Sequence, residues 1–220
     1  VLYTGFDKSF FTDCLNSDKV EPFLIAEKYG AVLTTVSEDY AKEITNPHFE
    51  NETEGLSKCF FEKKIKITGI TNGIDYELYN PTKPEISKLP FAFNPEKNDL
   101  SGKYECRKYF INEVNSFSSE IFSGLKIYGS ISKPENQDRA VYISYHGRIA
   151  SQKGLQVLAD SIKPLVEKFS DLRFVIMGQG EREIENRFIS LANDFDGKLI
   201  FLNGYNKTCA RLSVAACDFI

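Results

Sequence analysis

The residues with the clearest capacity for chemistry lie in Tyr145-His146-Gly147-Arg148-Ile149-Ala150-Ser151-Gln152-Lys153-Gly154, where a guanidinium and an ammonium group flank a short run. A guanidinium is a rigid fork of donors that matches two phosphate oxygens at once. A lysine supplies a mobile point charge, so Arg148 and Lys153 can hold a diphosphate from two sides. The flanking sequence supplies a platform for them. Val141-Tyr142-Ile143-Ser144-Tyr145 is β-branched and aromatic, as a buried strand should be, and Leu155, Leu158, Ile162, Leu165, Val166 and Phe169 recur at helical spacing. The run between them is then a strand-to-helix loop at the carboxyl edge of a parallel sheet, where helix N-termini offer free N–H groups to anions. A nucleotide or sugar nucleotide is the ligand class this suits. The spacing alone leaves open a second reading, in which both cations are solvated surface charge.

Other marks are weaker by themselves. Gly178-Gln179-Gly180 follows an apolar strand and reads as a turn, and Asn72-Gly73 reads as a turn because both residues tolerate positive φ. Tyr205, in a loop after a strand, is by itself a packing or surface aromatic. His146 sits beside Gly147 and within reach of a phosphate, although a histidine at a strand end is usually structural; His48, in a polar loop, suggests no role.

The elements that must position these residues are of α/β type. Pro22 to Gly30 reads as a helix closed by a glycine, Ala31 to Val36 as a strand, and Ser37 as the cap of a helix that runs to Ile44 before Pro47 stops it. Lys64 to Ile70 alternates like a strand. Thr82 to Asp99, with three prolines among charges, reads as an irregular connection, and Gly102 to Val114 as a helix. Beyond the Arg148 loop, Leu172 to Met177 and Lys198 to Leu202 read as strands, each followed by a helix, which implies a right-handed parallel sheet. Pro164 should kink or restart the helix after Lys153. Val1 to Val20 shows no clean period and reads as loop and short helix.

Totals bound the function. The 220 residues, 42% hydrophobic and 26% charged, suffice for one domain and part of another. A net charge of -4 without a basic run argues against a nucleic-acid surface or a polybasic membrane anchor. The five cysteines are odd in number and form no Cys-x-x-Cys pair, which fits a reducing compartment and no zinc site. Val1 is not an initiator methionine and Cys217-Asp218-Phe219-Ile220 reads as the opening of a buried strand, so a piece of a longer enzyme is expected.

Gly147-Arg148 to Gln152-Lys153-Gly154 after a buried strand resembles the signature of the glycogen and starch synthases, retaining glycosyltransferases of GT-B fold. Ala31 to Ile44 is similar to that family's "TTVS-x-x-YA-[RK]-EI", with Glu54-Gly55-Leu56 as its continuation. Gly69-Ile70-Thr71-Asn72-Gly73-Ile74-Asp75 resembles its "Gly-x-x-Asn-Gly-[IV]-Asp" hinge, with Tyr79 where the family has tryptophan. The resemblance implies two Rossmann-like doubly wound sheets, the second partial. Residues 1–74 would close the acceptor-side N-terminal domain and include the hinge, and 75–220 would be the first half of the nucleotide-sugar-binding C-terminal domain. The family passes directly from helix to strand where this chain has 116–138, so a surface insertion is expected there.

The activity implied is transfer of glucose, with retention, from ADP-glucose to the nonreducing end of an α-1,4-glucan such as glycogen or starch. Arg148 and Lys153 would be catalytic as well as nucleotide-binding, stabilising charge on the departing diphosphate, and no metal or other cofactor would be required. Gly178 and Gly180 would let loops approach the nucleotide, Tyr205 would offer its ring to adenine, and Asn72 would face the cleft. Asp194-Phe195-Asp196, a metal-binding pattern in other glycosyltransferases, falls at the opposite sheet edge and reads as a solvated turn. The family's histidine and Glu-Pro-x-Gly glutamate fall outside Val1 and Ile220, so the chain alone is expected to be inactive. A cytoplasmic or plastid location follows from the same resemblance. The rivals are a sucrose synthase-like or cell-envelope hexosyltransferase, which would lack the Ala31 to Gly55 segment, and a non-catalytic glucan-binding relative.

Overall fold

The computed structural model describes residues 7–16, 19–116, 120–132 and 140–220. The chain divides into two compact units, Val1–Ile74 and Asp75–Ile220. In the first, a 3-10 turn (Lys8–Cys14) leads into a short antiparallel pair, β1 (Leu15–Asn16) and β2 (Lys19–Val20). Helix α1 (Pro22–Lys28) starts on a proline, which loses nothing by lacking an N–H in the first turn, and Gly30 at φ +83° ends it. Strand β3 (Leu33–Thr35) is followed by α2 (Glu38–Glu43), capped by Ser37 Oγ, which accepts from the Tyr40 amide at 3.2 Å. Helix α3 (Leu56–Glu62) then leads to β4 (Ile67–Gly69), parallel to β3 with Leu33 opposite Ile67. Cys14, Leu24, Cys59, Phe60 and Ile65 form this unit's core.

Asn72-Gly73 is not a turn, contrary to the expectation from residue type. Neither residue takes positive φ. The chain turns at residues 76–79 instead, where the Asp75 carboxylate accepts from the amides of Glu77 and Leu78 at 3.1 and 2.9 Å.

The second unit carries α4 (Pro84–Ser87), α5 (Ser101–Ser116), β5 (Lys126–Gly129), β6 (Val141–His146), α6 (Leu155–Lys168), β7 (Leu172–Gly178), α7 (Arg182–Asp194), β8 (Leu199–Asn203) and α8 (Lys207–Ala216). The sheet order is β5-β8-β7-β6, with β6, β7 and β8 parallel. Strand β7 is buried along its whole length because helices cover both faces, which is why Leu172 to Met177 is apolar almost without alternation. Val175, Met177, Ile200 and Leu202 pack with Phe110, Val114 and Cys209 of α5 and α8. The alternate residues Phe174, Ile176, Leu199 and Phe201 pack with Ile162 and Phe188 of α6 and α7. This is the doubly wound α/β arrangement the sequence implied.

Two local expectations need correction. Segment 116–138 is not a surface loop in its described part, residues 120–132. It supplies β5, paired antiparallel to β8 with Ile127 opposite Leu202, and it buries Phe122 and Ile131 in the core. Helix α6 also runs through Pro164 without a restart. The amide that proline lacks would have met the carbonyl of Asp160, and that residue is exposed to water. Among the described residues no helix is long and apolar enough to cross a membrane.

Candidate anion and nucleotide site

Strands β6, β7 and β8 run parallel, so the loops that follow them emerge at one edge of the sheet. That edge gathers five of the sequence-selected residues. Arg148 and Lys153 follow β6, Gly178 and Gly180 lie at and just beyond the end of β7, and Tyr205 follows β8. With β7 between the other two strands, the cationic loop and the tyrosine are two strand spacings apart, roughly 10 Å. A nucleoside diphosphate laid across the strand ends has about that reach. Asn72 is exposed in the first unit, in the irregular stretch after β4.

The loop after β6 is held rigidly. The Gly147 amide donates to Met177 O at 3.0 Å, the Ile149 amide to Gln179 O at 2.9 Å, and the Glu181 amide returns to Ile149 O at 2.8 Å. Ile149 is fully buried between them, and the Tyr145 hydroxyl donates to Arg148 O at 2.8 Å. The backbone of Arg148 is therefore fixed while its side chain projects outward, exposed. Neither the Arg148 nor the Lys153 side chain makes a hydrogen bond or ion pair among the described residues, so both charges remain uncommitted. Gly154, at φ +69°, precedes helix α6 with no side chain to cap it; the first-turn amides of α6 add a partial positive charge beside the two cations.

The two glycines find their reason in this crossing of loops. A Cβ on Gly178 would stand 1.9 Å from Gly147 O, and one on Gly180 would stand 2.0 Å from Ile149 O. Both contacts are with backbone, which cannot swing aside. Glycine is thus required by loop-on-loop packing, whatever binds above. The Gly180 amide is moreover already engaged, donating to Glu185 Oε1 at 2.6 Å, and the Ser151 amide donates to Glu181 Oε1 at 2.9 Å. These two carboxylates were not singled out from sequence. Their signal was the acidic run after Gly-x-Gly, where a carboxylate can fold back on amides at a helix start.

Tyr205 follows Gly204, at φ +131°, and precedes Asn206, whose side chain caps α8 by accepting from the Thr208 and Cys209 amides at 3.0 Å. Its backbone is set on both sides while the residue is 60% exposed. Such a ring is available to stack on a flat ligand. The Asp-x-Asp pair lies at the other end of the sheet: Asp194 closes α7, and Asp196 accepts from the Ser130 hydroxyl at 2.6 Å. No group of three or more His, Cys, Asp or Glu side chains among the described residues is arranged to hold a metal ion.

No family model matches the chain. Whole-sequence comparison does find relatives. Glycogen synthase 1 of Geobacter sulfurreducens is 30% identical over 192 residues, which is 87% of this chain and 33% of the relative. The glycogen synthase of Thermodesulfovibrio yellowstonii is 27% identical over 217 residues, 98% of this chain and 38% of the relative. Over most of its length this chain is similar to bacterial glycogen synthases. It spans between a third and two fifths of the length of these curated relatives. In three dimensions it superposes on the catalytic domain of starch synthase IV from Arabidopsis thaliana, solved with ADP and acarbose, with a TM-score of 0.75. That match covers 98% of this chain and 40% of the neighbour at 24% identity, and it shows that the chain has the fold of that part of the neighbour. The resemblance of Ala31 to Ile44, of Gly69 to Asp75 and of the Arg148 loop to the glycogen synthases is thereby extended from short motifs to most of the chain.

Proposed function

We propose that this chain serves a glucosyltransferase of the glycogen or starch synthase type, which moves glucose with retention from ADP-glucose to the nonreducing end of an α-1,4-glucan. The observation that carries the reading is the pair of uncommitted cations, Arg148 and Lys153, on a rigid loop at the carboxyl edge of the sheet, with the exposed Tyr205 ring two strands away. When the glycosidic bond to phosphate breaks, negative charge grows on the departing diphosphate. A fixed guanidinium and an ammonium in place before the reaction stabilise that charge without reorganising. Two full positive charges do the electrostatic work a metal performs elsewhere, so the proposed transfer runs without one. Tyr205 would stack on adenine, and the solved starch synthase neighbour, bound to ADP and acarbose, supports ADP as the nucleotide and a glucan as the acceptor.

The test is calorimetric titration of ADP and UDP into this chain beside an Arg148→Ala, Lys153→Ala double variant. Preferential binding of ADP that the double variant loses is the expected result. ADP binding that survives removal of both cations would overturn the assignment of the diphosphate site.

A further inference from the structure

One ionisable side chain at this edge has no assigned work. His146 is the last residue of β6, opposite Met177 in register and immediately before the Gly147-Arg148 turn. Side chains alternate along β6: Val141, Ile143 and Tyr145 pack with the α6 and α7 core, whereas Tyr142 and Ser144 are buried toward α5 and α8. His146 shares the face of Tyr142 and Ser144, but it closes the strand and is only half-buried, whereas those two are buried.

Its two nitrogens are in different surroundings. Nδ1 is sealed from solvent and has no hydrogen-bond partner; Nε2 is not among the sealed atoms. A neutral imidazole carries one proton, and that proton is best placed on the nitrogen that can find an acceptor outside. The donor is then Nε2–H, with Nδ1 left as a bare lone pair. Burial holds the imidazole below its usual pKa, so at neutral pH the group offers a neutral donor.

We propose that His146 is a third ligand group of the anion site, donating from Nε2–H to an oxygen of the diphosphate whose charge Arg148 and Lys153 neutralise. The proposal rests on the function proposed above and adds to it a specific donor two residues before Arg148 in the chain. A directional neutral donor fixes the position of the phosphate without adding to the charge that must be overcome when the product leaves.

The test is titration of ADP, inorganic pyrophosphate and adenosine into this chain and its His146→Phe, His146→Asn and His146→Gln variants, with thermal melts of each and with the Arg148→Ala, Lys153→Ala variant in parallel. Phenylalanine keeps the ring and removes the donor, so ADP and pyrophosphate should weaken about ten-fold while adenosine is unchanged. The amide nitrogen of glutamine reaches the place of Nε2 and that of asparagine the place of Nδ1. His146→Gln should therefore restore affinity to within about two-fold, and His146→Asn should not. Wild-type affinity in His146→Phe, with binding still lost in the double variant, would overturn this proposal and leave the function standing. Equal losses in all three His146 variants, extending to adenosine, would show a packing role and overturn it too. Failure of the wild-type chain to bind ADP or pyrophosphate would overturn both readings.

Discussion

A methyl group on Gly178 would lie 1.9 Å from the carbonyl oxygen of Gly147, so the end of β7 and the first residue after β6 can pass one another only while position 178 has no side chain. The Gly147 amide reinforces the crossing by donating to Met177 O. Gly178→Ala must push the two strand ends apart, and it should lower unfolding stability by about 1–3 kcal/mol, the cost of overpacking in a core. Gly180→Ala, aimed at Ile149 O, should behave alike. Chemical denaturation checks this. A Gly178→Ala chain that kept wild-type stability and lost only nucleotide affinity would assign the glycine to the ligand instead.

Arg148 and Lys153 should show the opposite division. Both side chains are exposed and make no ion pair or hydrogen bond among the described residues, so replacing either by alanine should change stability by no more than about 0.5 kcal/mol. Each should nonetheless weaken ADP binding roughly ten-fold or more, the worth of a hydrogen bond to a charged group. Stability measured by denaturation and affinity measured by calorimetry on the same variants separate the two effects.

The contrast between these residues explains what could be read without coordinates. Arg148 and Lys153 were legible because a buried strand and an amphipathic helix, each with its own period, bracket them and fix the loop between at a sheet edge. The roles of Gly178 and Gly180 were not, since the atoms they avoid belong to Gly147 and Ile149, some thirty residues earlier, and no local pattern encodes that crossing. Asn72-Gly73 failed for a related reason. Both residues tolerate a turn, but the Asp75 side chain organises one a few residues later by holding the Glu77 and Leu78 amides. Lys126 to Gly129 was missed because it is short, half-buried and an edge strand, paired with β8 from far along the chain. Its neighbour Ile131, buried yet outside any regular element, carries no period at all.

Ile131 tests that correction. It is fully buried, and its backbone is clamped by Asn115, whose Nδ2 donates to Ile131 O at 2.9 Å. Ile131→Ala should cost about 2–5 kcal/mol, as large-to-small changes in a core do, whereas Lys126→Ala, at the exposed first residue of β5, should cost less than about 0.5 kcal/mol. Thermal or urea denaturation of the two variants decides the matter. Equal, small effects would return the segment to the surface.

His146 should also make the stability of the chain depend on pH near neutrality. Burial depresses its folded-state pKa below the usual 6.5, so between the depressed and the usual value the unfolded chain binds more protons than the folded one. Its contribution is therefore fully present above about pH 7 and is lost as the pH falls through 6.5 toward the folded-state pKa. The lowered carboxylates Asp7, Asp39 and Asp99 carry depressed pKa values on a usual 3.8 and titrate far below this window, so they do not mask it. Melting the wild-type chain and His146→Gln from pH 7.5 to 5.5 should show a steeper fall in the wild type, because glutamine does not titrate. Parallel curves would mean that the imidazole is not desolvated. A bound diphosphate should lessen the wild-type slope, since an anion at Nε2 favours the protonated ring that burial opposes.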